Sequence, residues 1–583
     1  MSITETLKTL RAAVPMLKPA LKSGQLFRPQ CKSVEPDQDV LAEYDVEIPT
    51  SEGFSLTCNI FSSKNARAAN RPMPVIMCAH PYDNRLTQAL GKTLFGGPPQ
   101  QYRLIGQAGG TPQFSTLTSW ESPDPNFWVQ AGYTLVNVNL PGYANSGGPG
   151  TIVSTHQAKS YREAIAWVGE QEWCDGNVGL NGVSYLAITQ FFAAGAPLEL
   201  LPKALKCICP WEGFTNTYHD LACGGGVADT TFLNFWWHTE VKGPLNTQLE
   251  EFLRIEEAIP PEALDAHPFY DDYWRNKAAN LKEITVPMLV CASFSDHELH
   301  TMGSFRAYEQ ASSARKWVYT HRGGKWTTFY APEVQALTKD FMDHFLKGAD
   351  NQFSQLPPVR LEVRSSQTEI HEVRWEQDWP LPQTVYTPLY LSERGLAPDK
   401  PPEHAEITHA AKDGVSTFDY VFAKDTELTG YMKLRLHVEV RPESRSAKQP
   451  EDMILCVYVD KLDRQGAPVR FNGSVGNEDD VLTRGYIRVS RSALNEAAST
   501  EWLPVYEGTG ESRMTANKIV PIEVALRPSS TFFFKGEGLR LIISPHDIYR
   551  APIFRKSTSI NHGLHVMHYG GAYDAHLLTP DIP

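Results

Sequence analysis

Short apolar runs and one long helical pattern characterise the first part of the chain. Residues 74–79 and 133–139 have the length and composition of strands that are buried on both faces. Between residues 154 and 172, apolar side chains recur at helical spacing, which predicts an amphipathic helix. Two further strand patterns follow, at residues 178–183 and 204–208. This alternation predicts an α/β fold, in which helices cover a parallel sheet.

The alternation is interrupted between residues 211 and 281 and then resumes. The interrupting segment has helical patterns rich in aromatic residues, which predicts a helical cap inserted in the core. Its rings either pack inside the cap or line a substrate site. After it, the sequence predicts strands at residues 286–292 and 316–320, each followed by a helix. We therefore expect a catalytic domain formed by residues 1–210 and 282–350.

Beyond residue 350 the pattern changes to strands and turns alone. The predicted strands span residues 359–363, 387–391, 431–440, 453–459, 486–489, 519–524 and 539–543. Short alternating strands without comparable helices are typical of two packed antiparallel sheets. We therefore expect residues 351–583 to form an all-β sandwich of jelly-roll type.

The amino-acid composition and charge of the chain argue against several classes of binding partner. The 583-residue chain has a formal net charge of −13 and no block rich in Lys and Arg, which argues against nucleic acid. Its nine cysteines show neither zinc-ligand spacing nor a disulfide framework. No apolar run is as long as a membrane span, and residues 1–24 lack the compact apolar region of a secretory signal. We expect a cytoplasmic protein with no membrane partner, and a homodimer stays open.

A candidate nucleophile stands at the end of the run that begins at Val178. Ser184 lies between small residues and is followed by a helical pattern. A serine at a sharp strand-to-helix turn exposes its hydroxyl, and the turn needs small neighbours such as Gly182 and Ala187. Leu186 stands where the G-x-S-x-G pattern has its second glycine. The alternative is a serine that only caps the helix.

Candidates for the catalytic base and its orienting acid stand at the ends of later strands. In this class of fold the triad follows the chain order serine, acid, histidine, with each residue at the C-terminal end of a strand. Asp296 and His321 both follow predicted strands in that order, so we expect them to be the acid and the base. His297 and His300 are the competing bases. They lie too close to Asp296 in sequence for the usual triad geometry.

An acyl-transfer site also needs donors for the oxyanion. The backbone N–H of Tyr185, directly after the candidate nucleophile, is expected to be one donor. The other is expected from the loop after the strand 74–79, where the phenol of Tyr82 is a candidate. The alternative for Tyr82 is a ring that packs at the edge of the sheet.

Several segments together resemble the X-Pro dipeptidyl-peptidase and cocaine-esterase family of α/β-hydrolases. The segments that carry the resemblance are residues 80–83 (HPYD), 101–105 (QYRLI), 119–125 (SWESPDP), 182–186 (GVSYL), 295–300 (SDHELH) and 561–574. The resemblance implies an α/β-hydrolase core, a helical cap and a jelly-roll domain. It also implies Ser184, Asp296 and His321 as the triad, with Tyr82 and the Tyr185 amide as the oxyanion hole. The chain departs from the pattern at Ala187 and after His321.

These observations predict a serine hydrolase that acts on a carboxylic ester or amide through an acyl-enzyme, with no metal or organic cofactor. An ester is the first expectation for the small-molecule substrate. An X-Pro dipeptidyl aminopeptidase and an α-amino-acid or β-lactam acylase are the alternatives, in which Glu298 would bind an amine. Glu298 would otherwise be a solvated or capping acid. Trp211 and Phe214 are further candidates for substrate binding.

Two more functions stay open at this point. A protein with an inactive core and a binding jelly roll would belong to a different functional class. An acyltransferase would share the acyl-enzyme and transfer the acyl group to an acceptor other than water.

Overall fold

The computed structural model describes residues 3–84, 99, 101–246, 259, 262–444, 447–548 and 553–583. The chain divides into two compact units. The first contains Met1–Thr217, Leu233–Ala266 and Asp272–Arg360, and the second contains Tyr218–Phe232, His267–Asp271 and Leu361–Pro583.

The first unit is built on a mainly parallel sheet. Its strands are β1 (Lys32–Val34), β2 (Val40–Pro49), β3 (Ser55–Ser63), β4 (Met73–His80), β5 (Gln113–Ser115), β6 (Thr134–Asn139), β7 (Cys174–Val183), β8 (Leu205–Trp211), β9 (Met288–Ser293) and β10 (Lys316–His321). The order across the main sheet is β2, β3, β6, β4, β7, β8, β9, β10. From β6 to β10 all neighbouring strands are parallel, whereas β2 and β3 are antiparallel additions at one edge. β1 and β5 form a separate parallel pair.

The helices of the chain lie mostly between these strands. They are α1 (Ile3–Lys22), α2 (Lys64–Ala68), α3 (Gln101–Leu104), α4 (Pro125–Gln130), α5 (Thr155–Gly169), α6 (Tyr185–Ala194), α7 (Phe232–Trp236), α8 (Ala263–Ala266), α9 (Asp272–Arg275), α10 (Thr301–Gln310), α11 (Lys325–Phe329) and α12 (Pro332–Lys347). Helices α6 and α12 both pack against β7 and β8, so the central strands are covered and need continuous apolar sequence. Among the described residues, no helix is long and apolar enough to cross a bilayer.

The predicted central elements agree closely with the observed ones. β4, β6, β9 and β10 lie within two residues of the predicted strands at each end, whereas β7 begins four residues earlier than predicted. The antiparallel pair β2 and β3 was not predicted, because both strands carry many polar residues and lack the alternating pattern of a half-buried strand.

The segment 211–281 differs from the predicted continuous cap. Its described part contains short α, 3₁₀ and π turns, and residues 247–258 and 260–261 lie outside the described residues. Residues 218–232 and 267–271 cluster with the second unit, and the rest cluster with the first. The boundary between the two units after the last helix falls at residue 360 rather than 350.

Short helical turns are also present among the described residues. The π turns are Thr217–Ala222 and Trp237–Val241, and the 3₁₀ turns are Leu198–Leu200, Gly224–Gly226, Leu281–Glu283, Phe353–Gln355, Ser474–Gly476 and Val489–Arg491.

The second unit is almost entirely β structure. Its strands are β11 (Val359–Arg364), β12 (Ile370–Glu376), β13 (Val385–Ser392), β14 (Gly395–Ala397), β15 (Ala405–Ala410), β16 (Ser416–Val421), β17 (Thr426–Arg441), β18 (Ile454–Leu462), β19 (Pro468–Val469), β20 (Phe471–Gly473), β21 (Asn477–Asp480), β22 (Thr483–Arg488), β23 (Val520–Phe533), β24 (Gly538–Ser544), β25 (Leu564–Tyr569) and β26 (His576–Ile582). The long strand β17 pairs with β23, β25 and β26, while β18 pairs with β22 and β24 in another sheet.

Side chains from both sheets of this unit form one apolar core. Leu434 and Leu436 of β17 belong to the same buried cluster as Leu455 and Val457 of β18. The all-β sandwich predicted from the turn-punctuated sequence is therefore observed. Among its longer strands, β12, β15, β16, β25 and β26 were not predicted.

Candidate active site

Ser184 occupies a strained turn between β7 and α6. Its backbone has φ 58° and ψ −115°, a conformation that is costly for a residue with a side chain. The turn is held by a hydrogen bond from the Ser184 N–H to the carbonyl of Trp211, 3.0 Å long. A Cβ on Gly182 would lie 2.6 Å from the Cβ of Leu186, so the turn requires glycine there. This is the geometry of an elbow that exposes a nucleophile.

The imidazole beside Ser184 belongs to His300. Ser184 Oγ and His300 Nε2 are 3.0 Å apart. The ring of His300 is buried and stacks on Phe214, with centroids 5.7 Å apart. Nδ1 of His300 has no hydrogen-bond partner among the described residues. The serine and the histidine therefore form a dyad, without a carboxylate hydrogen-bonded to the second ring nitrogen.

A tight turn after β9 brings His300 to this position. The backbone N–H groups of Leu299, His300 and Thr301 all donate to the carbonyl of Asp296, at 3.1–3.2 Å. The hydroxyl of Thr301 donates to the carbonyl of Ser293, 2.8 Å away. The turn thus folds back onto the end of β9, which lies next to β8 in the sheet.

His321 is not the partner of Ser184, which corrects the sequence-based assignment of the base. Its Nε2 lies 3.0 Å from Oε1 of Glu212, and its Nδ1 accepts the N–H of Gly323 at 3.2 Å. The ring also stacks on Trp211. Both ring nitrogens of His321 are therefore engaged by groups other than Ser184.

Asp296 likewise has a different partner from the one predicted. Its Oδ2 lies 2.5 Å from Nζ of Lys325, and the same Nζ is 4.0 Å from Oε2 of Glu212. All three side chains are at most 5% exposed. The predicted carboxylate–imidazole pair is replaced by a buried network in which one lysine faces two carboxylates.

This network sets the charges around the dyad. Burial opposes the charged form of Lys325, but Asp296, Glu212 and Glu121 outweigh burial and raise the pKa of the lysine. Burial and the positive charge of Lys325 hold the pKa of His300 well below its usual value, while Glu212 acts in the opposite direction. His300 is therefore neutral at neutral pH, which is the protonation state that a general base requires.

Tyr82 lies close to the elbow with its hydroxyl available as a donor. The indole Nε1 of Trp236 donates to the Tyr82 hydroxyl at 3.1 Å, which leaves the phenolic proton for another acceptor. The backbone N–H of Tyr82 donates to Nδ1 of His80 at 3.1 Å, so this amide is already engaged. Of the groups of Tyr82, the phenol is therefore the one that suits an oxyanion.

Tyr185 presents its backbone rather than its side chain. It is the first residue of α6, and the N–H groups of the first helical turn have no partner within the helix. The Tyr185 hydroxyl donates to Gln157 at 2.7 Å and accepts the N–H of Val153 at 2.8 Å. The amide of Tyr185 thus has the position expected of an oxyanion donor, and the phenol has a structural role.

Two further carboxylates are buried near Tyr82. Burial holds the pKa of Glu121 well above its usual value and raises that of Glu240 to about 8. Trp326 Nε1 donates to Oε1 of Glu121 at 3.2 Å, whereas Oε2 has no hydrogen-bond partner among the described residues. Both carboxylates also raise the pKa of Tyr82, after burial itself. Sequence reasoning did not identify either residue.

The structure also shows the positions of the three residues that were predicted to bind substrate. Glu298 and Trp211 are buried, at 2% and 1% exposure, and Trp211 packs against His321. Phe214 lies against His300, directly beside the dyad. Phe214 contacts the dyad through its ring, which stacks on His300, and Trp211 contacts it through its backbone carbonyl, which accepts the N–H of Ser184.

Of the residues that sequence reasoning missed, Glu212 has a weak signal in the sequence. Glu212 directly follows β8 and has a φ of 50°, so it stands at a strand end like the predicted triad members. The sequence pattern places this position in the cap instead. Lys325 carries no comparable signal, because it lies in a short helix with no catalytic pattern around it.

Two groups of side chains have the proximity of metal ligands. Among the described residues, Glu212, Cys291 and His321 form one group, and Glu406, Glu439 and His568 form the other. Lys325 lies beside the first group, and Arg441 binds both carboxylates of the second. These cations already compensate the carboxylates, so the donor sets do not favour a divalent ion.

Comparison with known proteins gives consistent matches. The model of the X-Pro dipeptidyl-peptidase (S15 family) matches residues 52–327. The model of the X-Pro dipeptidyl-peptidase C-terminal non-catalytic domain matches residues 351–578. The chain is 25% identical over 403 residues to a cocaine esterase from Rhodococcus sp. (strain MB1 Bresler), covering 60% of this chain and 62% of that relative. The match therefore spans less than two thirds of the relative's length.

Solved structures extend the similarity over almost the whole chain. A CocE/NonD family hydrolase from Staphylococcus aureus is 32% identical, with a TM-score of 0.81 and 94% coverage of both chains. An α-amino acid ester hydrolase is 15% identical, with a TM-score of 0.65 and coverage of 94% of this chain and 98% of that one. The second likeness concerns the fold alone.

Proposed function

Because the chain belongs to the X-Pro dipeptidyl-peptidase and cocaine-esterase family, we propose that it is a serine hydrolase that cleaves carboxylic esters at Ser184. The observation that carries this proposal is the contact of 3.0 Å between Ser184 Oγ and His300 Nε2 on a strained elbow. A hydroxyl is a poor nucleophile unless an adjacent base accepts its proton. The cocaine esterase among the relatives supports an ester as the first substrate class.

Acylation begins when His300 Nε2 accepts the proton of Ser184. The serine oxygen then attacks the ester carbonyl carbon, and the carbonyl oxygen becomes an oxyanion. The Tyr82 phenol and the Tyr185 amide donate hydrogen bonds to this oxyanion. When the C–O bond to the alcohol breaks, His300 returns its proton to the leaving oxygen.

Deacylation repeats these steps with water as the nucleophile. His300 accepts a proton from water, and the resulting oxygen attacks the acyl-enzyme carbonyl. The tetrahedral intermediate then releases Ser184, which recovers its proton from His300. The carboxylic acid leaves as the second product.

The buried network assists the dyad through charge rather than through a direct hydrogen bond. Glu212 favours the imidazolium that forms on His300 during each step, whereas Lys325 disfavours it. Lys325 in turn lies within 4.0 Å of carboxylate oxygens of both Asp296 and Glu212, so its positive charge compensates their buried charges. In this proposal Asp296 and His321 position the network and do not exchange protons with the substrate.

Active-site labelling tests the proposal. Ser184→Ala and His300→Ala should each abolish turnover of an aryl ester, and Ser184→Ala should also abolish labelling by a fluorophosphonate. His321→Ala is the matched histidine control, and it should retain more activity than His300→Ala at equal folded concentration. Greater loss in His321→Ala would return the base to His321. Labelling that persists in Ser184→Ala would overturn the assignment of the nucleophile.

A second candidate function is hydrolysis of amino-acyl esters or amides, including X-Pro peptides. Oε2 of Glu121 is buried without a hydrogen-bond partner among the described residues, beside Tyr82 and Glu240. An ammonium group of a substrate would supply the missing donor and stabilise the ionised carboxylate. Glu298 is the other acid suggested for such an amine.

Paired substrates distinguish the two functions. Glu121→Gln should lower kcat/KM for an amino-acyl ester and leave an ester of the same size without the amine unchanged, and Glu298→Gln is compared in the same assay. Equal effects on both substrates would assign a structural role to the substituted acid.

A further inference from the structure

Helix α1 (Ile3–Lys22) packs on the first unit through one buried face. Ala13, Met16 and Ala20 are buried, at 9%, 5% and 1% exposure. The helix contacts α3 (Gln101–Leu104) and the turn Trp237–Val241. Just beyond the helix, Nε2 of the buried Gln25 donates to the carbonyls of Tyr102 and Ile105. The orientation of α1 is therefore fixed by contacts on this face.

A different face of α1 carries large apolar side chains that point into solvent. Leu7, Leu10, Val14 and Leu21 are exposed by 61%, 51%, 42% and 55%. At about 100° per residue, these four positions fall within a sector of about 60°. We call these four residues the α1 stripe. Because another face already packs on the protein, the α1 stripe is not simply the core-facing side of the helix.

Positive charge runs along the α1 stripe. On the same helical projection, Arg11, Lys18 and Lys22 lie together, about 50–90° from the centre of the stripe. All three residues are exposed. Residues 7–34 contain six basic residues and no acidic one, although the whole chain has a net charge of −13. A basic, partly apolar surface on an acidic protein is complementary to a partner that is both anionic and apolar.

We infer that the α1 stripe docks on an anionic phospholipid bilayer. In this arrangement α1 lies in the plane of the interface, with leucine and valine side chains among the acyl chains and cations at the head groups. Phe27, which is 66% exposed next to Arg28, extends the same kind of surface beyond the helix. Binding is peripheral, so it requires no spanning helix.

The charge of the surface favours a bilayer over a second copy of the chain. Two α1 stripes facing each other would bring the cations of both copies together, which opposes association. The sequence predicts no membrane partner, because no segment is long enough to span. Peripheral docking differs from spanning, because it needs only an exposed surface. The pattern of apolar residues alone did not show which face of α1 is exposed.

Vesicle flotation of the full chain tests this inference. Vesicles of phosphatidylcholine containing roughly one third phosphatidylglycerol should bind the protein at least about tenfold more tightly than phosphatidylcholine alone. Added salt should weaken the binding, because the Debye length falls from about 10 Å at 0.1 M to about 3 Å at 1 M.

Two variants separate the apolar and the charged contributions. Leu10→Gln/Val14→Gln/Leu21→Gln keeps good helix formers and should reduce binding at least about tenfold. Arg11→Gln/Lys18→Gln/Lys22→Gln should remove the preference for anionic lipid. The matched control, Ile370→Gln/Val373→Gln/Val421→Gln, replaces three exposed apolar residues of the second unit and should bind normally.

Every other result overturns the inference. Equal binding to neutral and anionic vesicles would exclude the proposed role of charge, and binding that survives the Leu10, Val14 and Leu21 changes would exclude the α1 stripe. A protein that binds no vesicles would exclude the bilayer. If such a protein is a dimer that the same three changes dissociate, the stripe is a contact between two copies.

Discussion

Nζ of Lys325 lies 2.5 Å from Oδ2 of Asp296, and the two side chains are 5% and 2% exposed. Removing one member of a buried ion pair leaves the other charge without compensation. We therefore expect Lys325→Met to lower the free energy of unfolding by about 3–5 kcal/mol, as measured by urea denaturation. The double variant Asp296→Asn/Lys325→Met removes both charges of this pair and should recover part of the loss, since Glu212 still lacks the cation. If the losses of stability in the two single variants simply add in the double variant, the interaction between Lys325 and Asp296 contributes little to stability.

The pH dependence of hydrolysis is set by His300. Burial and Lys325 depress the pKa of His300 well below 6.5, so the imidazole stays neutral, and able to accept a proton, at mildly acidic pH. The low-pH limb of kcat/KM should therefore lie below pH 6.5. Removing the positive charge in Asp296→Asn/Lys325→Met should raise the pKa of His300 and move this limb to higher pH.

The control for the pH profile is a variant that keeps the positive charge at position 325. Lys325→Arg should leave the low-pH limb close to its original position, because a cation still faces His300. If the limb moves in Lys325→Arg and not in the uncharged double variant, the electrostatic explanation is wrong.

The phenol of Tyr82 is predicted to act in the transition state. Tyr82→Phe removes one donor while keeping the ring, and kcat should fall about 10²–10³-fold with little change in KM. The reason is that the hydrogen bond strengthens as charge develops on the oxyanion. Stopped-flow measurement of acylation with an aryl ester gives the rate of this step.

A second buried tyrosine serves as the control for Tyr82. Tyr143→Phe also deletes a buried hydroxyl, which here donates to the carbonyl of Thr151, and it should leave kcat within about threefold of the original value. A Tyr82→Phe variant that also stays within that range would exclude the oxyanion role.

The elbow can be tested through its glycine. Gly182 has a φ of 149°, and an added Cβ would lie 2.6 Å from the Cβ of Leu186. Gly182→Ala should therefore destabilise the protein by about 1–3 kcal/mol more than conformational strain alone and greatly reduce labelling of Ser184. Calorimetry and fluorophosphonate labelling measure the two effects.

A substitution at Gly176, in the same strand, distinguishes the effect of a steric clash from the effect of backbone strain. Its φ is 86°, but nothing lies within 4 Å of an added Cβ. Gly176→Ala should cost only about 1–2 kcal/mol and leave labelling intact. Equal losses in the two variants would show that collision with Leu186 is unimportant.

Local sequence patterns were sufficient to predict the α/β core, the β-sandwich and the elbow at Ser184. These features depend on local patterns: continuous apolar strands, turn-separated strands, and small residues around a serine at a strand end. The order of the strands also indicated that Asp296 and His321 would lie at the same edge of the sheet as Ser184.

The side chains that meet at that edge could be identified only from the folded structure. Glu212 binds His321, Lys325 binds Asp296, and the imidazole left for Ser184 is that of His300. Each pairing depends on distances and burial among residues on different strands and loops. The periodicity of apolar residues predicts where the strands lie, but it carries no information on distances between side chains. Several acids and histidines at adjacent strand ends are therefore equally good candidates for the site until the folded structure is known.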